Sequence, residues 1–179
     1  LVGFDMGGTS TDVFYIPAGQ GTDWERHPET VVAGQRLMAQ RLPIHTVAAG
    51  GGSIIHAHEG RLRVGPQSAG SSPGPACYKR GGPLTITDAN LLLGRLQSTT
   101  FPALFGPKSN QPIDISIVKE GFTKIAIDLC TTPENVAEGA LSIALERMAD
   151  AIKQVSIFCG HDIRKGVLVA FGGAGGQHA

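Results

Sequence analysis

Apolar positions alternate at the start of the chain. Val2 and Phe4, then the run Val13 to Ile16, read as two strands of a hairpin turning through Gly7-Gly8-Thr9-Ser10. Further on, Glu59 to Gly65 reads as a second hairpin of alternating polarity, and Leu84 to Thr87 as a short β-prone run. The period then lengthens. Ala89 to Leu96 carries a leucine cluster behind Thr87 or Asp88 as cap, Ile117 to Cys130 has helical spacing, and Pro133 to Phe158 lays Val136, Ala140, Ile143, Ala144, Met148, Ala151, Ile152 and Val155 along one stripe. Thr132 caps that long helix, with Pro133 at its first position and Gly160 past its end, and the stripe reads as core. A fully apolar run, Val167 to Phe171, predicts a buried parallel strand. Strands and helices in this order predict a mixed α/β domain.

Between these elements lie stretches that packing does not explain. Gly19 to Pro28 is polar and turn-rich, and Thr30 to Leu42 holds a strand and a connector around Val31, Val32, Leu37 and Met38. Gly50-Gly51-Gly52 is costly in backbone entropy and predicts a site where the backbone approaches something closely. Pro66 to Pro83 is dense in Gly, Pro and Ser and reads as irregular, and such segments inside compact domains are often functional.

The first turn carries the sharpest chemical signal. Two glycines present backbone N–H groups in a concavity, and Thr9, Ser10 and Thr11 add hydroxyls, a set that suits a phosphate. Asp5 and Asp12 flank it, and carboxylates beside a phosphate call for a divalent cation between them, so the arrangement reads as phosphate plus Mg²⁺. An ordinary Gly-Gly turn in solvent is the competing reading. At the far end, Gly172-Gly173-Ala174-Gly175-Gly176 follows the apolar strand at once, a loop compatible with nucleotide at the carboxyl end of a sheet.

Composition narrows the class. Of 179 residues, 41% are hydrophobic and 17% charged, which is enough for one core. Lys+Arg and Asp+Glu are each 15, so no electrostatic footprint for nucleic acid or an anionic membrane is expected. No apolar stretch approaches the length of a membrane span. Cys77, Cys130 and Cys159 lack metal-ligand spacing and fit a reducing cytoplasm. The chain begins at Leu1 and ends just past its glycine cluster, and it reads as cut from a longer polypeptide.

Asp5-Met6-Gly7-Gly8-Thr9-Ser10-Thr11-Asp12 and Phe171-Gly172-Gly173-Ala174-Gly175 resemble the phosphate and adenosine loops of the superfamily that contains actin, sugar kinases and heat-shock chaperone ATPases. Thr46 to Ser53, Val64 to Gly70, Pro73 to Tyr78, Thr87 to Arg95, Phe101-Pro102 with Phe105-Gly106-Pro107, and Gly175-Gly176-Gln177-His178-Ala179 resemble the hydantoinase A and 5-oxoprolinase family.

That resemblance implies one lobe of an actin-like, ribonuclease H-like ATPase fold spanning residues 1–179: a mixed sheet, packed helices and long Gly/Pro-rich loops inserted at about 42–112. It implies ATP-dependent opening of 5-oxo-L-proline to L-glutamate with release of ADP and phosphate, or the related chemistry of an ATP-dependent hydantoinase or ketone carboxylase subunit. A non-catalytic nucleotide-binding module is the alternative outside the enzymes. Carried over to this chain, Gly7, Gly8, Thr9, Ser10 and Thr11 hold phosphates. Asp5 and Asp12 serve the metal, Asp5 also the attacked phosphoryl, and Gly172, Gly173, Ala174 and Gly175 face adenosine. Asp88 is a further catalytic candidate with a plain alternative as a helix cap. The opposing Asp-x-Gly-Gly-Thr loop of the superfamily is not in this sequence, which implies a preceding lobe, a hydantoinase B-type half or subunit, and an oligomer.

Other residues stay open. His45, Arg80 and Arg95 are candidates for an anionic lactam substrate. His56, His58 and Glu59 look like metal ligands on paper but read as solvent-facing around a turn. Lys79 and Arg80 would favour a thiolate at Cys77 and so a nucleophile, against the plainer reading of Cys77 as a structural cysteine of the loop.

Overall fold

The computed structural model describes residues 1–19, 29–32, 34–38 and 42–178. Most of the turn-rich stretch 19–28 expected above lies outside them. Among the described residues the strands and helices are, in chain order, β1 (Val2–Met6), β2 (Thr11–Tyr15), β3 (Thr30–Val32), β4 (Gln35–Leu37), β5 (His45–Val47), β6 (Ser53–His58), β7 (Arg61–Ser68), α1 (Ile86–Leu92), α2 (Ile115–Asp128), α3 (Pro133–Val155) and β8 (Leu168–Phe171).

The main sheet has the order β5-β2-β1-β8. β1 and β2 pair antiparallel as the expected hairpin, and β8 joins β1 parallel, so the sheet is mixed. Register decides which chemistry lies on which face. Val2, Phe4 and Met6 stand opposite Tyr15, Val13 and Thr11 and share the buried face, against which α3 packs. Gly3 and Asp5 stand opposite Phe14 and Asp12 on the other face. Gly3 leaves the space that the Phe14 ring fills, since a Cβ there would push the ring aside.

β6 and β7 form the second hairpin, with Glu59 and Gly60 at positive φ in its turn. β3 and β4 form a third in the stretch expected to hold a strand and connector. α3 bridges the main sheet and the β6–β7 hairpin, touching β2, β5 and β7. Ala137, Ala140, Ala144 and Ala151 are buried on it, and their small side chains let strands and helices approach closely. Thr132 caps α3 by accepting from Asn135 N, as expected, and Gly160 adopts the left-handed conformation after a short 3₁₀ turn. α2 presents Val118, Phe122 and Ala126 to the same core. No helix of the described residues is long and apolar enough to cross a membrane.

Two expectations need correction. β8 is parallel but not buried: Val167, Leu168, Val169 and Phe171 are exposed on the sheet's edge. An apolar strand signals burial only where both faces are covered, and of β8 only Ala170 packs against the core among the described residues. α1 begins earlier than expected, at Ile86, because Thr85 rather than Thr87 or Asp88 is its cap.

Phe122 is fully buried between α2 and the rest of the core. Phe122→Ala is expected to cost about 3–5 kcal/mol, read as a lowered urea midpoint with an unchanged transition slope.

A glycine-walled cradle at the carboxyl end of the sheet

The turn between β1 and β2 is held by backbone on two sides. Gly7 N–H donates to Ser10 O at 3.1 Å and closes the turn itself. On one side Gly51 N donates to Gly7 O at 3.1 Å and Gly52 N to Gly8 O at 2.6 Å, while the Ser68 hydroxyl also reaches Gly8 O, at 3.3 Å. A Cβ on Gly50 would lie 2.7 Å from Gly8 O, and one on Gly52 2.8 Å from the same atom. The triple glycine is therefore a close approach of two main chains. On the other side Ala174 N donates to Met6 O at 2.8 Å, and Gly172, at φ +85°, leaves no room for a Cβ against Asp5 Oδ1 and Met6 O.

Gly51 lies where these elements converge. A Cβ there would come 2.9 Å from Thr87 Oγ1 and 3.2 Å from Ala174 Cβ, and Gly51 O accepts from Thr87 N at 2.8 Å. Between them opens a cavity of about 370 Å³ whose walls include Gly8, Thr9, Gly52, Thr87, Gly173 and Gln177. Among the described residues no charged side chain lines it. The N–H groups of Gly8, Thr9 and Gly173 have no hydrogen-bond partner among the described residues. Uncommitted backbone donors in a concave glycine wall are what an anion requires.

Asp5 and Asp12 are direct cross-strand partners and so share the face opposite α3. Asp12 Oδ1 accepts from Thr46 Oγ1 at 2.6 Å, which fixes its direction. Like charges so placed repel unless a cation lies between them. Among the described residues no group of three or more His, Cys, Asp or Glu could hold a metal alone. A magnesium ion shared with phosphate oxygens and water takes one or two carboxylates, and that is what the pair offers.

Several expected site residues lie elsewhere. Thr11 alternates onto the buried face, and its hydroxyl donates to Ala49 O at 2.5 Å, so it ties β2 to the glycine loop instead of facing a phosphate. His45 sits on β5 opposite Val13, on the α3 side, and lines a different cavity of about 580 Å³ with Tyr15, Gln154 and His161. The Arg80 guanidinium holds the 104–109 loop through Gly106 O and Ser109 Oγ. Arg95 lines a third cavity beside Glu138 and Ser142. Ser10 is half-buried, and its carbonyl closes the turn. His56 and His58 face outward around the β6–β7 turn, as the sequence suggests.

Asp88 is fully buried at the third position of α1 and accepts from Ala76 N, Cys77 N, Thr85 N and Thr85 Oγ1 at 2.8–3.0 Å. Burial raises its pKa, while the bonds from Cys77 and Thr85 pull it back down. With its oxygens committed to this loop, Asp88 holds the Pro75–Tyr78 wall of the cradle in place. The same loop overturns the thiolate reading of Cys77. Burial, and then the Asp88 charge, push the thiol far above its ordinary range. The cations expected to help are spent elsewhere, Lys79 on Asp114 at 3.2 Å and Arg80 on its loop.

Thr87, Tyr78, Ser71 and Gln177 line the cradle and were not among the expected site residues, since none carries a charge, although Thr87, Tyr78 and Gln177 lie within the family-like blocks. Three glycine clusters in one chain were the available signal.

The whole chain, residues 1–179, matches the family model described as hydantoinase/oxoprolinase. The chain belongs to the hydantoinase/oxoprolinase family. It is 48% identical to the 5-oxoprolinase PfmaA of Pestalotiopsis fici over all of its own length but only 14% of that protein, so it spans about one seventh of such relatives. It superposes on the ATP-dependent caprolactamase of Pseudomonas jessenii with a TM-score of 0.82 and 36% identity, covering 99% of this chain and 25% of that one. The nucleotide-free acetone carboxylase, solved for the mechanism of ATP-dependent acetone carboxylation, matches with a TM-score of 0.82 and 27% identity over 99% of this chain and 24% of that one. The fold expected from the motifs, one lobe of an actin-like ATPase, is thereby the fold of this member of the family.

Two outcomes follow from the geometry. Gly50→Ala meets main-chain atoms that cannot turn aside, so it is expected to cost about 1–3 kcal/mol in urea denaturation. His178 has a lowered pKa, through burial first and the Arg95 cation second. Between its ordinary 6.5 and the lower native value the unfolded chain binds more protons, so stability falls as pH drops through that window. Urea midpoints measured from pH about 7.5 to about 5.5 should show this slope, and His178→Gln should reduce it.

Proposed function

We propose that the full-length protein uses ATP to open a cyclic amide, with 5-oxo-L-proline as substrate and L-glutamate as product, and that this chain supplies one wall of its nucleotide site. One observation carries the reading: N–H groups of Gly8, Thr9 and Gly173 with no partner among the described residues belong to a glycine cradle beside the Asp5–Asp12 pair. Relatives at 43–48% identity carrying the name 5-oxoprolinase support the substrate over the caprolactam and acetone chemistry of relatives at 36% and 27%.

Mg·ATP, when bound, supplies the phosphoryl group that turns the amide oxygen of an unreactive lactam into a leaving group. The chain's share is positioning and charge neutralisation. Gly8 and Thr9 N–H groups would hold phosphate oxygens, Asp5 and Asp12 would hold the cation, and the Gly172–Gly175 loop, of which Gly173 and Ala174 line the cradle, would take the adenosine side. Asp88 acts at a distance by holding the Pro75–Tyr78 loop. The lactam's carboxylate needs a cationic partner, and no charged side chain lines the cradle among the described residues, so that contact is assigned to the remaining protein, including an opposing lobe and a hydantoinase B-type half. All three cysteines are free thiols, which fits a reducing cytoplasm.

Asp5→Asn in the full-length protein is expected to lower 5-oxoproline-dependent ATP cleavage by about 10²–10³-fold with its melting temperature little changed, because it removes charge and not core volume. A coupled ADP-release assay measures this, and near-wild-type turnover would sink the assignment of Asp5.

A further inference from the structure

Asn90 is fully buried on α1, yet its side chain is only partly satisfied. Its amino group donates to Gln177 Oε1 at 2.8 Å and reaches His178 Nε2 at 3.4 Å, while its own Oδ1 has no partner among the described residues. A buried acceptor left unpaired is destabilising, so this network is not the one stability alone would select. Its effect is to engage the oxygen of the Gln177 carboxamide. Gln177 lines the cradle, and its amino group has no partner among the described residues.

We propose that Asn90 orients Gln177 so that the Gln177 Nε2 amino group donates to a phosphate oxygen in the cradle, making Gln177 a ligand-binding residue and Asn90 its positioning residue. The inference rests on the nucleotide reading above and extends it to a side chain. The cradle otherwise offers an anion neutral donors from the main chain and hydroxyls, and a carboxamide presented by its nitrogen adds a donor without adding charge. Presented by its oxygen, the same group would repel phosphate, so which end faces inward matters. Asn90 sets that end. The 3₁₀ turn Gly175–Gln177 keeps the pair in register, with Gln177 N donating to Ala174 O at 3.1 Å.

The test is calorimetric titration of Mg·AMP-PNP into the full-length protein and three variants, with ligand-free melting temperatures recorded for each. Gln177→Glu keeps the shape and the oxygen that accepts from Asn90 but turns a carboxylate oxygen toward the phosphate. Gln177→Met keeps length and loses both ends. The proposal expects weakening by about 10-fold or more for Gln177→Met and a larger loss for Gln177→Glu. A purely structural Gln177 gives the opposite order, because Met breaks the Asn90 bond and Glu preserves it. Asn90→Asp, whose carboxylate would draw the Gln177 amino group away from the cradle, should weaken binding about as much as Gln177→Met and add little in the Gln177→Met background. Wild-type affinity in Gln177→Glu, or a larger loss in Gln177→Met than in Gln177→Glu, would overturn the proposal while leaving the nucleotide reading standing. Wild-type protein that binds no Mg·AMP-PNP would overturn the nucleotide reading and this inference together. If Gln177→Glu does not fold, additivity of Asn90→Asp and Gln177→Met overturns the proposal and non-additivity supports it.

Discussion

The close approach of Gly50-Gly51-Gly52 to the Gly7-Gly8 turn is the contact on which the rest of the molecule depends. Main chain meets main chain there, with no side chain between, and hydrogen bonds from Gly51 and Gly52 fix the separation. The approach joins the main sheet to the β6–β7 hairpin at one point, and α3 joins them at another by packing on β2, β5 and β7. With both links in place, α1 is docked by Thr87 N on Gly51 O, and Asp88 then gathers the loop before it. A site built in this way is rigid because its geometry is set by peptide groups, which have few ways to rearrange.

Sheet register sorts the chemistry. The two-residue period places Asp5 and Asp12 on the face away from α3, and Thr11 and His45 on the face toward it, so residues close together in sequence serve different ends. The open edge at β8 leaves an apolar row without cover among the described residues. Such a row is a pairing surface, and the chain spans about one seventh of relatives such as PfmaA, whose remaining length has the capacity to cover it.

Charge is rationed in the cradle. Among the described residues its walls are neutral, its acids stand to one side on the sheet face, and Arg80, Lys79 and Arg147 are all engaged in holding loops or carbonyls. This distribution suits a wall that neutralises an anion through dipoles while leaving full cationic charges to a facing element.

The sequence by itself determined the β1–β2 hairpin and its glycine turn, the capped and striped α3, the parallel direction of β8 and the meaning of the triple glycine. Each of these follows from local rules: alternation, helical spacing, capping, and the cost of glycine where no close contact demands it. Tertiary structure alone decided that Thr11 turns inward, that Asp88 is buried and accepts four hydrogen bonds from its own loop and cap, that Cys77 is a buried thiol, and that Gln177 reaches the cradle from 87 positions beyond its partner Asn90. The physical reason is common to all of them. The role of a polar side chain depends on which donors, acceptors and low-dielectric surroundings it meets after folding, and those come from segments far away in the chain.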